Sequence, residues 1–393
     1  MGIESKESIF KKIGILIPPY LKIGGKIKAA PEDFIVREVI NGKILNEKAN
    51  LFSLFLNKLL LSCSRKKRFL WFTLVKRDIG TLEVAGLLQK RGIKKVWFCG
   101  LKDKKAVVAQ KLCIYSKDKN KLFKIKSKKF FFKDFEYKDK RVRLGSNDGN
   151  YFIIRIRDVS ALEQADKIDQ IKDRIPNFFG PQRFGSIKLN NHLIGKAIIK
   201  REWERACFEI LRSGVRGIDE KLRKKWGDWS GIREIIPKFR RGAPEWLLIN
   251  NLCSGSSFED AVLQLPKEFL RLWIDAYQSY LFNLTLSEII KRNIEAKRVP
   301  LVAYNLKLEK WGEIGKIISQ IMKRESLSLL DLKIRKKLRP KVRLRKVYMG
   351  IEDLKIKREK RDLILEFFLE RGSYATVFLY FVGVPPEHLA YNF

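Results

Sequence analysis

The chain has 393 residues, and its 83 Lys and Arg against 44 Asp and Glu give a formal net charge of +39 at pH 7. Few globular proteins carry such an excess of positive charge without a polyanionic partner, so nucleic acid is the first partner class to consider. A hydrophobic fraction of 45% and an aromatic fraction of 11% allow a substantial core and exclude a disordered basic tail.

In chain order, β-rich runs predict strands over 33–39 and 69–75. The apolar spacing of 81–91 predicts a helix, with Thr81 as its candidate cap and Gly92 after its end. Further strands are predicted over 93–99 and 106–115. Asp103 therefore lies in a loop between two strands, which is a common address for functional side chains.

Residues 150–157 alternate as a strand does, so Asn150 and Phe152 are expected to point to the same face. The pattern becomes helical between 190 and 340, with amphipathic segments at 192–209, 268–292 and 315–323, and strands are predicted again over 363–369 and 376–382. Strands, then helices, then strands indicate an α+β protein in which a helix-rich insertion interrupts a sheet domain.

Cysteine and histidine usage limits the chemistry. The five cysteines are odd in number, far apart and never form a C-x-x-C pair, which argues against a disulfide framework or a zinc cluster and fits a reducing, cytoplasmic setting. Only two histidines occur, so any chemistry is expected to rest on carboxylates, Lys, Tyr or Cys. No uncharged apolar run approaches the length of a membrane span, and no membrane partner is expected.

The positive charge is concentrated in two stretches. Residues 91–143 hold 19 basic and 5 acidic residues (net +14), and residues 333–361 hold 14 and 3 (net +11). A solvated face is the simplest interpretation of one short basic run. Two long runs favour RNA, because aromatic residues suited to base stacking are interleaved in the first: Phe130, Phe131, Phe132, Phe135 and Tyr137. We expect the two stretches to form the walls of one RNA-binding cleft, with the insertion closing over the RNA.

Asp103 is the single carboxylate among Lys102, Lys104 and Lys105. Neighbouring cations favour an ionised carboxylate, which can act as a nucleophile. The alternative is an acidic residue that only relieves repulsion in a Lys-rich turn. These four residues alone favour the second interpretation.

Two strings of the sequence are distinctive, Gly-Leu-Lys-Asp at 100–103 and Asn-Phe-Phe-Gly-Pro-Gln-Arg-Phe-Gly at 177–185. With these strings the sequence resembles the TruD family of pseudouridine synthases. The matching segments occur in the family's order: 28–36, 100–110, 144–145 with 149–152, 176–185, 277–283 and 372–376.

The resemblance implies isomerisation of uridine to pseudouridine in tRNA, expected at position 13, on a base flipped out of its stack and without cofactor or metal. It implies a mixed, largely antiparallel sheet in a catalytic domain of residues 1–185 and 345–393, and a helix-rich α/β insertion, the TRUD domain, over 186–344. The chain is large enough to act as a monomer, which we expect.

The family's nucleophilic aspartate falls on Asp103. Substrate or RNA contacts are expected from seven further residues: Lys28, Phe34, Lys102, Asn150, Phe152, Arg183 and Tyr374. We assign base stacking to Phe34, Phe152 or Tyr374, and hydrogen bonding to the base edge or ribose to Asn150. Some relatives carry Phe where this chain has Tyr374.

Each assignment has a structural alternative. Phe34, Phe152 and Tyr374 could be core residues, Lys28 a surface lysine, and Arg183 a brace for its own loop. A second function is a non-catalytic basic RNA-binding or ribosome-associated protein. The complete Gly-Leu-Lys-Asp-Lys string at 100–104 favours the enzyme, because a pure binder does not need it.

Overall fold

The structure is a computed structural model that describes residues 8–48, 67–185, 188–213, 217–236 and 242–390. Two compact units make up the chain. The sheet unit consists of Pro19–Ile175 and Met349–Phe393, and the helical unit consists of Met1–Pro18 and Pro176–Tyr348. The predicted insertion, 186–344, falls within the helical unit, and the assignment of catalytic and TRUD domains to exact bounds stays a prediction.

Strands and helices are numbered in chain order within the described residues. The strands are β1 (Phe34–Ile40), β2 (Lys43–Ile44), β3 (Phe69–Arg77), β4 (Trp97–Phe98), β5 (Val107–Tyr115), β6 (Phe130–Lys138), β7 (Gly149–Ile156), β8 (Arg298–Pro300), β9 (Leu344–Lys346), β10 (Ile351–Glu359) and β11 (Asp362–Glu370). The helices are α1 (Ser8–Lys12), α2 (Thr81–Lys90), α3 (Lys119–Phe123), α4 (Lys167–Ile171), α5 (Asn191–Lys200), α6 (Trp203–Ser213), α7 (Asp219–Lys224), α8 (Trp229–Ile235), α9 (Pro244–Cys253), α10 (Phe258–Leu263), α11 (Lys267–Lys291), α12 (Gly312–Arg324), α13 (Ala375–Val382) and α14 (Pro386–Ala390). None of these helices is long and apolar enough to cross a membrane.

One large sheet organises the sheet unit, with strand order β10-β11-β7-β1-β5-β3-β6, while β2 pairs with β1 and β4 with β5. The pair β1–β5 is parallel, and the other neighbouring strands are antiparallel. The predicted α+β class with a mixed, largely antiparallel sheet is confirmed.

One face of this sheet, called the inner face below, is mostly apolar, and helices cover it. The register aligns Val36 of β1 with Phe152 of β7 on one side and with Val108 of β5 on the other, and Phe152 with Phe367 of β11. Helix α2 packs its Val84 and Leu88 into the same cluster as the β3 residues on this face. Helix α13 covers the other half, where Phe378 meets Phe367.

Two predicted strands differ in the structure. Residues 376–382 were expected to form a strand but belong to helix α13, whose eight residues are all buried. A helix buried on every side shows no alternation of polar and apolar residues, so its short apolar run looks like that of a buried strand. The strand predicted over 93–99 is reduced to the two residues of β4.

A third difference is β10, which the sequence did not indicate. It is an edge strand whose residues are mostly exposed and charged, a common way to protect a sheet edge from pairing with another chain. Part of the second basic stretch therefore lies at one sheet edge, in β10. Strand β6 of the first stretch is the opposite edge, so these two parts are not neighbours.

Thr81 is not the cap of helix α2. Gly80 holds the N-cap position, and the Thr81 hydroxyl instead donates a hydrogen bond to Oε1 of Gln110, 2.8 Å away. The Thr81 side chain is buried and joins the start of α2 to the inner face of β5.

Helix α11, 25 residues long, runs through the helical unit and crosses α5 very closely. The crossing point is Gly195: a Cβ at this position would lie 2.0 Å from the main-chain oxygen of Trp273. The predicted helix 192–209 is divided into α5 and α6, because Arg201 has a left-handed backbone that ends α5.

A pair of glycine substitutions tests this crossing. Gly195→Ala is expected to lower the free energy of unfolding by about 1–3 kcal/mol, because a backbone carbonyl must move to admit the methyl group. Gly86→Ala, in α2 with nothing within 4 Å of the added methyl, is expected to raise it by about 0.5–1 kcal/mol. Urea unfolding of both variants measures the difference, and equal stabilities would contradict the close crossing.

Candidate active site

Asp103 is anchored by a buried lysine. Nζ of Lys28 lies 2.9 Å from Oδ2 of Asp103, and the Lys28 side chain is 0% exposed whereas that of Asp103 is 21% exposed. Lys28 has a φ of 57°, in the left-handed region that few non-glycine residues adopt. Such a conformation persists where the surroundings fix it, and here it directs the lysine inward to the carboxylate. Lys28 is thus not an ordinary surface lysine.

The same ammonium group lies over the ring of Phe34, 4.3 Å from its centroid, in a cation–π contact. Phe34 meets Phe152 edge to face at 6.1 Å, and Phe152 stacks on Phe367 at 5.4 Å. Phe378 of α13 closes this aromatic column on the far side of Phe367. Phe34 and Phe152 are 2% and 8% exposed, so most of each ring packs inside the protein.

The loop that carries Asp103 is held by the inner face of the sheet. Nζ of Lys76, on β3, donates hydrogen bonds to the main-chain oxygens of Asp103 and Ile79. The amide of Lys102 donates to the Thr81 hydroxyl, 3.2 Å away. These contacts fix the backbone on both sides of the Asp103 side chain.

Lys102 points into the protein. Its Nζ lies 2.6 Å from Oε1 of Glu38, and the two side chains are 9% and 0% exposed. The other oxygen of Glu38 accepts the main-chain N–H of Lys111 at 2.8 Å. Glu38 on β1 therefore ties Lys102 to the sheet, and an RNA contact by Lys102 stays a prediction.

Asn150 and Phe152 share the inner face, as predicted, because they pair with Glu38 and Val36 of β1. The Asn150 side chain is half-buried, and within the described part of the chain its buried Oδ1 makes no hydrogen bond. Tyr374 is also half-buried and directly precedes helix α13, whose Phe378 closes the aromatic column.

Arg183 is the one predicted site residue that belongs to the helical unit. It ends the short 3-10 turn Pro181–Arg183, with its guanidinium 5.6 Å from the ring centroid of Phe179. Asn283 of α11 binds both the N–H and the C=O of Phe179. Arg345 donates to the main-chain and side-chain oxygens of Asn177 at 2.7 and 2.6 Å. Arg345 thus braces the 177–185 loop, although it belongs to a basic stretch expected to bind RNA.

Sequence reasoning missed Glu38 and Lys76, although a signal was present. Both stand at core-facing positions of strands, Glu38 after Phe34 and Val36 and Lys76 after Phe72 and Leu74. A charged residue at a core-facing position requires a buried partner. A loop that packs against the sheet can supply that partner.

His192, Cys99 and Cys113 are buried and carry no charge near neutral pH. Burial lowers the pKa of His192 to about 4, and its ring stacks on Tyr280 with centroids 4.7 Å apart. Burial raises the pKa of the Cys99 and Cys113 thiols to about 11. The described residues contain no group of three or more His, Cys, Asp or Glu that could hold a metal ion.

Comparison with known proteins agrees with this architecture. The family model described as tRNA pseudouridine synthase D (TruD) matches residues 19–300 and 297–380. A probable tRNA pseudouridine synthase D of Methanococcus vannielii is 31% identical over 376 residues, covering 91% of this chain and 94% of the relative. The tRNA pseudouridine synthase D of Aquifex aeolicus is 27% identical over 396 residues, covering 90% and 97%.

The fold is also similar to the crystal structure of a TruD protein from Methanosarcina mazei, with a TM-score of 0.70, 24% identity, and coverage of 97% of this chain and 99% of that one. The family match and the curated relatives define an enzyme of the isomerase class that acts on RNA bases. The chain belongs to the TruD family of tRNA pseudouridine synthases.

The buried pair of Lys102 and Glu38 can be tested against a surface pair in the same loop. Lys102→Met leaves a buried carboxylate without its cation, so we expect a loss of about 3–5 kcal/mol in the free energy of unfolding. Lys104→Met removes a pair with Glu83 in which both side chains are about half exposed, and at most about 1 kcal/mol should be lost. Urea unfolding distinguishes the two, and equal losses would place Lys102 at the surface.

Proposed function

We propose that this protein isomerises a uridine of tRNA to pseudouridine with Asp103 as the nucleophile, at position 13 by analogy with its family. The observation that carries the proposal is that the Asp103 carboxylate is both anchored and accessible. Lys28 holds one oxygen from the buried side, while 21% of the side chain stays accessible to a substrate. An anchored and accessible carboxylate suits nucleophilic catalysis.

The reaction needs no more than such a group. A carboxylate that attacks the sugar or the base, or stabilises a detached sugar, allows the bond between N1 and C1′ of the uridine to break. The uracil then rotates and bonds to C1′ through C5, the proton on C5 leaves, and N1 gains a proton. Substrate and product are isomers, so the balance requires no redox partner.

Neighbouring residues suit a base that has left its stack. The amide of Asn150, whose buried Oδ1 makes no hydrogen bond within the described residues, is a suitable acceptor for the N3–H of uracil. We assign contacts with the flipped base to Phe34, Phe152 and Tyr374. Because Phe34 and Phe152 are almost fully buried, half-buried Tyr374 is the more accessible ring of the three.

Long-range charge is proposed to bring the tRNA to the site. A net charge of +39 attracts phosphate, and Arg183 is assigned an RNA contact because its loop is rigidly braced. We propose that the protein acts as a monomer.

Asp103→Asn is the direct test of the nucleophile. We expect it to lower pseudouridine formation by roughly 10³-fold or more, because the amide is a poor nucleophile, and to leave tRNA affinity nearly unchanged. Chemical labelling of pseudouridine in tRNA measures the product, and filter binding measures the affinity. Asp139→Asn, an exposed acidic residue in the same basic stretch, is the matched control and should retain full activity.

Normal turnover by Asp103→Asn would remove Asp103 as the nucleophile. If the wild-type protein binds several tRNA preparations but makes no pseudouridine in them, a non-catalytic RNA-binding function describes it better than an enzymatic one.

Salt dependence tests the electrostatic part of the proposal. Each neutralised phosphate releases counterions, so tRNA affinity should fall steeply with salt, with a log–log slope of about −4 or steeper. A binding titration from 50 to 300 mM KCl, roughly the range over which such slopes are measured, gives the value. A slope near zero would mean that the charge of +39 does not drive binding.

A further inference from the structure

Lys76 is a fully buried lysine directly behind the proposed nucleophile. It lies on the inner face of β3 and is 0% exposed. Its ammonium donates to the main-chain oxygen of Asp103 and, at 2.8 Å, to that of Ile79. Both acceptors are neutral carbonyl groups, and within the described residues no carboxylate forms an ion pair with Lys76.

A buried ammonium with carbonyl partners is costly, since the carbonyls replace only part of its hydration. Burial, with smaller contributions from the nearby cations Lys102 and Lys28, lowers the pKa of Lys76 to about 8. Asp103 and Glu83 act in the opposite direction and favour the charged form. A hydrophobic residue would be a cheaper occupant of this position, so the lysine calls for an explanation beyond stability.

We propose that Lys76 is a positioning residue for the reaction: its ammonium fixes the main chain of Asp103 and thereby the direction of the carboxylate. The proposal rests on the function proposed above. Lys28 holds the carboxylate of Asp103 and Lys76 holds the carbonyl of the same residue, so the nucleophile is fixed at two points. A displacement of about 1 Å in a reacting group can cost about 10²-fold in rate.

A single ammonium is suited to this task because it has three donors. One reaches the Asp103 loop and another the turn at Ile79 after β3, which joins the loop to the sheet. A deprotonated amine is a weaker donor. The rate of isomerisation should therefore decline as the pH rises through about 8, where Lys76 loses its proton.

Stability should change in the opposite direction. The unfolded lysine has a pKa near 10.5, above the folded value of about 8, so between these values the unfolded chain binds more protons. The cost of burying the charge is fully present below pH 8 and disappears as the pH rises toward 10.5. Removing the charge at pH 7 therefore should not destabilise the fold. Activity is expected to fall in such a variant while its stability stays the same or rises.

The test is Lys76→Met, which keeps the length of the side chain and removes the charge. The single-turnover rate with tRNA labelled by tritium at C5 of uridine is measured from pH 6.5 to 9.5, with tRNA affinity and thermal unfolding. We expect a rate lower by about 10- to 100-fold at pH 7, unchanged affinity, an equal or higher melting temperature and no decline near pH 8. Lys76→Arg, which stays charged, should restore part of the rate and also lack that decline.

Lys133→Met is the matched control. Lys133, on strand β6, lies within the first basic stretch, but it is 5% exposed and its ammonium also donates to a main-chain oxygen, that of Lys48 at 2.9 Å. It is therefore not one of the exposed cations expected to bind phosphate, and it does not hold the Asp103 loop. This variant should keep the wild-type rate and its decline near pH 8. Ionisation of the uridine itself affects all variants equally, so the difference between Lys76→Met and Lys133→Met isolates Lys76.

An unchanged rate in Lys76→Met, or a decline near pH 8 that persists in it, overturns the proposal. If Lys76→Met does not fold, a wild-type rate that stays constant from pH 7 to 9 has the same effect, because it needs no variant. If Asp103→Asn loses activity and Lys76→Met keeps it, Lys76 has no positioning role and the proposed function stands. If the wild-type protein has no activity, both the proposed function and the role of Lys76 are wrong.

Discussion

A charged side chain withdrawn from water must find an opposite charge or several hydrogen bonds, and the candidate site depends on this constraint. Lys28, Glu38 and Lys76 are all buried, and each finds its partners in the loop that carries Asp103 or beside it. The apolar inner face thus serves as a low-dielectric support in which each contact is strong and geometrically selective. The loop gains a fixed conformation without secondary structure of its own.

The aromatic column provides the second support. Phe34, Phe152, Phe367 and Phe378 come from β1, β7, β11 and α13, and they connect the site to the part of the sheet formed late in the sequence. Lys28 contacts both supports, because its ammonium binds the carboxylate of Asp103 and covers the ring of Phe34. Polar and aromatic parts of the site therefore meet in one side chain.

Much of this arrangement could be predicted from the sequence, and the remainder depends on sheet register. The alternation of residues 150–157 predicted that Asn150 and Phe152 share one face of a strand. The strands predicted on either side of Asp103 placed it in a loop. The contact between Lys28 and Asp103 spans 75 positions, and only the family resemblance suggested Lys28. The partners of Glu38 and Lys76 depend on how β1, β5 and β3 align, which no local pattern contains. Helix α13 was mistaken for a strand because burial on all sides removes the periodic signal.

The order of the strands has a consequence for the synthesis of the protein. Strand β11 pairs with β7 although more than half of the chain lies between them, and β11 and α13 supply Phe367 and Phe378. A chain emerging from the ribosome, amino terminus first, therefore exposes one side of β7 until β11 has been made. Lys28 and Asp103 are made well before β11 and α13, and the column behind Phe152 is complete only after both of these elements have been made. A nascent chain of this basic protein can meet RNA well before it has a finished site in which to modify it.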